Sequence, residues 1–194
     1  MPRFCVLGLV FIIVGLYPAV GQSPSPTTLY SAGVQHYQTG LRQSDPETMR
    51  LAVEDFVRAI ELNSSFGNAH LELARALLWL GELDRAGFSL ADARRTGGSP
   101  KEVALLEAEL AGIRGNLDTA RSRYRQVLSN EPYNPQAQLG LALLEAATGP
   151  TEPLIDQLET LRKTYPQQRR LILSLAILHS QRGDSDAATR YSQL

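Results

Sequence analysis

Apolar residues between positions 68 and 95 return at steps of three and four. In 68–80 they are Leu71, Leu73, Ala74, Leu77, Leu78 and Leu80; in 83–95 they are Leu83, Ala86, Phe88, Leu90 and Ala93. That spacing marks one face of an α-helix, whereas a half-buried strand would alternate every second residue. Gly81 separates the two runs and Gly97-Gly98 follows the second, as C-terminal caps do. The pattern predicts helices over 68–80 and 83–95. No stretch of four or more residues alternates with β-branched or aromatic content, so the chain is predicted to be all-α.

The two-helix pattern repeats. Gly81-Glu82-Leu83-Asp84, Gly115-Asn116-Leu117-Asp118 and Gly183-Asp184-Ser185-Asp186 have the same form. The first two glycines are 34 residues apart, and Gly149 fills the midpoint of the 68 residues from Gly115 to Gly183. Five residues after the four glycines stand Ala86, Ala120, Leu154 and Ala188. Ser99-Pro100-Lys101-Glu102 opens a unit with a capping serine, a proline at the first helical position and a glutamate three residues after the serine. Asn134-Pro135 and Tyr165-Pro166 punctuate later boundaries. A period of this length means stacked helical hairpins that share one core.

The N-terminus has a different character. Arg3 is the only charge before Arg42, and 4–16 is an apolar run with no polar group except the Cys5 thiol. Pro18 then breaks the run and Ala19-Val20-Gly21 places small residues two apart. A positive start, a short apolar stretch and a small-x-small end predict a signal peptide over 1–21. The alternative is an uncleaved anchor, since the uncharged stretch through Gly21 is just long enough to span a bilayer. Residues 22–29, rich in Pro, Ser and Thr, are expected to form a flexible leader.

Composition narrows the function. The 19 basic and 20 acidic residues give a net charge of −1, so no basic surplus exists to neutralise phosphates and nucleic acid is not an expected partner. One Cys allows no disulfide within the chain. His36, His70 and His179 fall in first helices of three different units, where packing explains them and no metal site is expected. No nucleophile elbow, phosphate loop or His-Glu-x-x-His motif is present, so neither catalysis nor a cofactor is expected.

Ala52-x-x-x-Phe56-x-x-Ala59, Ala86-x-x-x-Leu90-x-x-Ala93 and Ala120-x-x-x-Tyr124-x-x-Val127 resemble the second helix of the tetratricopeptide repeat family. Ala74, Ala108, Ala142 and Ala176 match its small first-helix position, and Pro132 and Pro166 its terminal proline. The resemblance divides 30–194 into a first repeat at 30–63, then 67–100, 101–134, 135–168 and a truncated fifth at 169–194. It makes the first repeat seven residues too long, and 41–47, with Ser44 and Asp45-Pro46, is expected to be an extended turn.

In that family the first helices line a concave groove. Carried onto this chain, the groove positions are Tyr30, Leu71, Leu105, Leu139 and Leu173; then Val34, Arg75, Glu109, Leu143 and Ile177; and last Tyr37, Trp79 and Ile113. The cationic clamp that some members use for a C-terminal carboxylate is missing here. The resemblance therefore implies a non-catalytic scaffold that grips an apolar or amphipathic protein segment, and the signal peptide expected over 1–21 puts it in the periplasm or outside the cell. A lipid or small hydrophobe in the same groove is the alternative. Envelope association, and self-association through the fifth repeat, which no polar capping helix follows, are further expectations. Export makes the first testable statement: intact-mass analysis of the protein from the cell envelope should find Gln22 as the N-terminus, and retention of Met1 or Pro2 would replace the signal peptide with an anchor.

Overall fold

The computed structural model describes residues 24–146, 152–164, 166 and 169–193. The signal peptide expected over 1–21 and the midpoint Gly149 lie outside these residues. Among the described residues there are ten helices and no strand. They run as five hairpins: α1 Pro26–Gln43 with α2 Pro46–Leu62, α3 Gly67–Trp79 with α4 Leu83–Arg95, and α5 Pro100–Ile113 with α6 Leu117–Asn130. Then come α7 Pro135–Ala146 with α8 Glu152–Thr164, and α9 Arg169–Arg182 with α10 Ser185–Ser192.

The glycine punctuation works through the backbone. Gly81, Gly115 and Gly183 take φ values of 77°, 78° and 85°, a region that costs a residue with a Cβ. The next residue in each case donates its N–H to the carbonyl five residues earlier: Glu82 to Leu77 at 2.9 Å, Asn116 to Ala111 at 2.8 Å, Asp184 to His179 at 2.9 Å. Three first helices thus end in the same way and release the chain in the same direction. At the head of α5, Ser99 Oγ accepts from the Glu102 N–H and Pro100 occupies the first turn.

Two expectations fail in the first hairpin. The leader does not extend to 29, because α1 already begins at Pro26. Ser25 caps it by accepting from the Thr28 N–H at 3.1 Å, and Leu29 is buried against Ala59 and Ala69. Nor is 41–47 an extended turn. The seven extra residues lengthen both helices, to 18 and 17 residues, and only Ser44 and Asp45 connect them. Gly40 does not stop α1, because its work is close approach: a Cβ there would lie 3.2 Å from the backbone nitrogen of Met49 on α2. Asp45 then restarts the chain by accepting from the Glu47 and Thr48 N–H groups, both at 3.1 Å.

Within the hairpins the helices meet on small residues. Ala52, Ala86 and Ala120 on the second helices, and Ala74, Ala108 and Ala142 on the first helices, have no exposed surface. In the fifth unit Ala176 and Ala188 are only half-buried, and Ala187 is the buried alanine of α10. Between hairpins, the backbone of each first helix lies close to that of the first helix in the next unit, while among the described residues no second-helix backbone comes as close to another; Tyr191 of α10 reaches Glu159 of α8 only by its side chain. First helices therefore form a close inner layer and second helices a splayed outer one, which curves the array with α1, α3, α5, α7 and α9 on the concave side. The core follows the stack. Met49, Phe56, Leu77, Leu90 and Val103 anchor its N-terminal part, and Leu158, Leu171, Leu175 and Leu178 its C-terminal part. Each such side chain contributes roughly 1.5–3 kcal/mol by leaving water.

Ala120 tests the crossing. Ala120→Leu should overpack the α5–α6 contact and destabilise by about 1–3 kcal/mol. Thermal melting followed by circular dichroism checks it, and an unchanged curve would mean the crossing lies elsewhere.

Candidate functional site

Apart from the charged Arg75 and Glu109, the expected groove residues divide into three groups. Trp79, Ile113, Leu173 and Ile177 are exposed on the first helices at 37, 54, 49 and 57%. Tyr30, Val34, Tyr37 and Leu143 are half-buried and pack against the two main core clusters. Leu71, Leu105 and Leu139 are buried, at 4–6% exposure. For these three the groove assignment needs correction. Their position faces the neighbouring first helix, so packing between units covers them before a partner could. Leu71 belongs wholly to the core. Leu105 and Leu139 still show an edge, as the floor of a cleft between α5 and α7.

That cleft encloses about 270 Å³. Glu109 and Ile113 stand along its α5 wall, Leu143 along its α7 wall, and Arg75 at its α3 side. Tyr124 reaches its base from α6. The Tyr124 ring lies over Gly140 so closely that a Cβ at that glycine would fall 2.2 Å from the ring carbon Cζ. A glycine is required there to let the ring in.

A polar cluster borders the cleft. Arg75 donates from Nη2 to Glu102 at 3.0 Å, and its Nε lies 3.3 Å from Glu72. All three side chains are only 21–29% exposed. Glu72 and Glu102 were not foreseen as site residues. Their signal was only positional: Glu72 precedes Arg75 by one helical turn, and Glu102 sits in the first turn of the next unit's first helix. Glu109 and Tyr37 belong to the same electrostatic neighbourhood. Burial pushes the Tyr37 hydroxyl up to about 12, with Arg75 opposing and Glu72 and Glu109 adding to the rise. Burial, and then Glu72, raises Tyr30 as well. The Glu72 carboxyl is raised by burial and by Glu102, against the pull of Arg75. Burial alone would lower Arg75, yet its carboxylate neighbours, Glu72 first, hold it above the ordinary guanidinium range.

The histidines stay apart from this site. His36 Nδ1 pairs with Asp55 at 2.8 Å, His70 Nε2 is 3.0 Å from the Ser64 carbonyl, and His179 stacks on Tyr191. Among the described residues no three His, Cys, Asp or Glu side chains gather as a metal site would require, and no helix is long and apolar enough to cross a membrane.

Stacked helical hairpins with a concave inner layer define a helical-repeat protein of the solenoid class. The chain belongs to the tetratricopeptide repeat family, whose sequence profile matches residues 49–100 and 105–150. Solved structures share the architecture. A thermophilic tetratricopeptide repeat protein of Thermus thermophilus superposes with a TM-score of 0.71 at 20% identity, over 87% of this chain and 89% of that one. A chain of the APC/C hetero-tetramer Cut9–Hcn1 also gives 0.71, at 16% identity, over 88% of this chain and 32% of its own length. MamA of Desulfovibrio magneticus gives 0.56 at 14% identity, over 85% and 92%. At these identities the likeness is one of fold. No curated protein matches the sequence.

The raised Tyr37 hydroxyl has a consequence at high pH. A folded pKa of about 12 against an ordinary 10.0 means the native state keeps a proton that the unfolded chain releases. Below 10 both states are protonated; above it, stability falls with rising pH until the native group also ionises. Tyr37→Phe should flatten the loss of stability between pH 10 and 12. Urea midpoints measured across that window test it, and a variant that falls in parallel with wild type would rule out Tyr37 as a source.

Proposed function

We propose that this chain is a non-catalytic protein-interaction scaffold that holds a partner segment along its concave face. The helical-repeat fold supports the scaffold role. The apolar character of the groove rests on one observation: Trp79, Ile113, Leu173 and Ile177 leave large hydrophobic side chains exposed on α3, α5 and α9, all inner-layer helices. Exposed aromatic and branched side chains held on rigid helices bind without paying for loop ordering. The partner segment is apolar or amphipathic, and it lays one side chain into the cleft above Leu105 and Leu139.

The rival occupant is a lipid or another small hydrophobe. A cleft of about 270 Å³ falls below the roughly 300–1,000 Å³ usual for small-molecule sites. Its size suits one side chain better than an acyl chain. The reading also places the protein outside the cytoplasm, on the strength of the N-terminal sequence pattern alone.

Trp79 carries the test. As the only tryptophan, it should report the free groove with red-shifted, readily quenched emission. Trp79→Ala should weaken capture of a partner about thirtyfold, the cost of removing a central aromatic anchor. It should leave the melting temperature nearly unchanged, because an exposed ring contributes little to the core. Loss of stability on the scale of a buried aromatic, about 3–5 kcal/mol, would move Trp79 from the groove into the fold.

A further inference from the structure

We propose that the outer groove between α4 and α6 is a second docking surface, which takes an acidic protein segment through Arg94, Arg114 and Arg123. It lies apart from the concave face and does not rest on that reading. The backbones of α4 and α6 stand apart here, and with α5 they line an opening of about 390 Å³. The repeat itself marks the place. Glu107 is 34 residues from Leu73 and from Leu141, and 68 from Leu175. Leu73 and Leu175 are buried core residues, so this unit carries a carboxylate where its neighbours carry leucine. Arg94 stands in register with Ile60 and Leu128, both packed against the core, and with Arg162 in the fourth unit. Covering a carboxylate costs desolvation, and ion pairs at such sites hold a fold no better than the hydrophobic residues they displace. The exchange therefore calls for a use other than packing.

The charges point to an anionic partner. Glu107 is the one carboxylate among the residues lining the groove. Both of its oxygens are taken: Arg94 donates from Nη2 to Oε1, and Arg123 Nε lies 3.2 Å from Oε2. One negative charge thus faces two positive ones. The other contact of Arg123 is the neutral Gln126 side chain, at 3.0 Å. Arg114 meets Asp84 at 2.7 Å, a carboxylate almost wholly in water. Asp92 and Asp118, the remaining acids of α4 and α6, are answered by Arg95 and Arg121. Depth decides which sign an incoming group meets. Glu107 is the more covered, with 20% of its side chain exposed, against 55% for Arg94 and 35% for Arg123. A guanidinium has five N–H donors, so both arginines keep some for a second carboxylate. Arg114 engages a different acid in the same groove, so successive acidic side chains of one segment fit where a single small anion would leave a cation unused. The whole chain carries −1, so the attraction belongs to this groove and not to the molecule at large.

The experiment uses the purified protein and two fluorescein-labelled peptides of one sequence, with glutamates in one replaced by glutamines in the other. Fluorescence anisotropy reads binding. The glutamate peptide should bind about tenfold tighter or better, and should weaken as sodium chloride is raised. Arg94→Gln and Arg123→Gln should each weaken it roughly three- to tenfold. Arg58→Gln, on the exposed side of α2, should bind like wild type. Should either groove variant melt early, Arg114→Gln replaces it, because its partner Asp84 is exposed. Inorganic phosphate should displace the peptide no better than sodium chloride at matched ionic strength. Equal binding of the two peptides, no binding of the glutamate peptide, groove variants that bind like wild type, or an Arg58→Gln loss as large as theirs overturns the proposal. Displacement by phosphate well below the matched ionic strength also overturns it, by making the groove a small-anion site.

Discussion

A methyl group sets the spacing of this molecule. Where the two helices of a hairpin meet, Ala52, Ala86 and Ala120 have no surface left, and Ala74, Ala108 and Ala142 are equally closed. Helices that approach so nearly bury only the faces turned toward each other. The remaining apolar residues, such as Leu71, Leu105 and Leu139, need cover from the next hairpin, which explains why a single unit is not a stable body. Covering them brings first helix against first helix while the backbones of the second helices stay farther apart. The concave face is therefore a by-product of the core: an inner layer drawn together by packing, with its last turns left open at Trp79 and Ile113.

The sequence disclosed what depends on neighbours along the chain. Gly81, Gly115 and Gly183 announce turns because their backbone conformation is local, and Ser99-Pro100 announces a helix start for the same reason. Features set by tertiary contact were less legible. Residues 41–47 read as an extended turn, yet α1 runs through Gly40, which serves the approach of α2. The leader reads as loose, yet Leu29 finds a buried seat. Among the groove positions, pattern alone could not separate Leu105, which turns into the neighbouring helix, from Ile113, two turns later and in water. Glu72 and Glu102 carry no motif. They become a site only because α3 and α5 lie side by side and share Arg75.

Arg75 also illustrates how charges are used between units. It reaches from α3 to the first turn of α5. Asp84 with Arg114, and Glu152 with Arg182, repeat another such contact: in both, a second-helix head meets the arginine that precedes the turn of the next unit. Exposed pairs of this kind contribute roughly 0–1 kcal/mol. Their value lies in registration, since a hairpin that slipped would leave both partners without a mate. Arg75 differs by being shielded, and a shielded cation shared by two carboxylates holds the inner layer together at the place where the cleft begins.

Twice among the described residues an aromatic ring rests on a glycine: Phe56 over Gly33 within the first hairpin, and Tyr124 over Gly140 between the third and fourth. In each case a Cβ would lie under 3 Å from the ring. Such a pair cannot drift one position at a time. A methyl at 140 is tolerated only after the ring at 124 has shrunk, and a smaller residue at 124 leaves a void until 140 has grown. The two sites evolve as a unit, and homologous chains should vary at both or at neither.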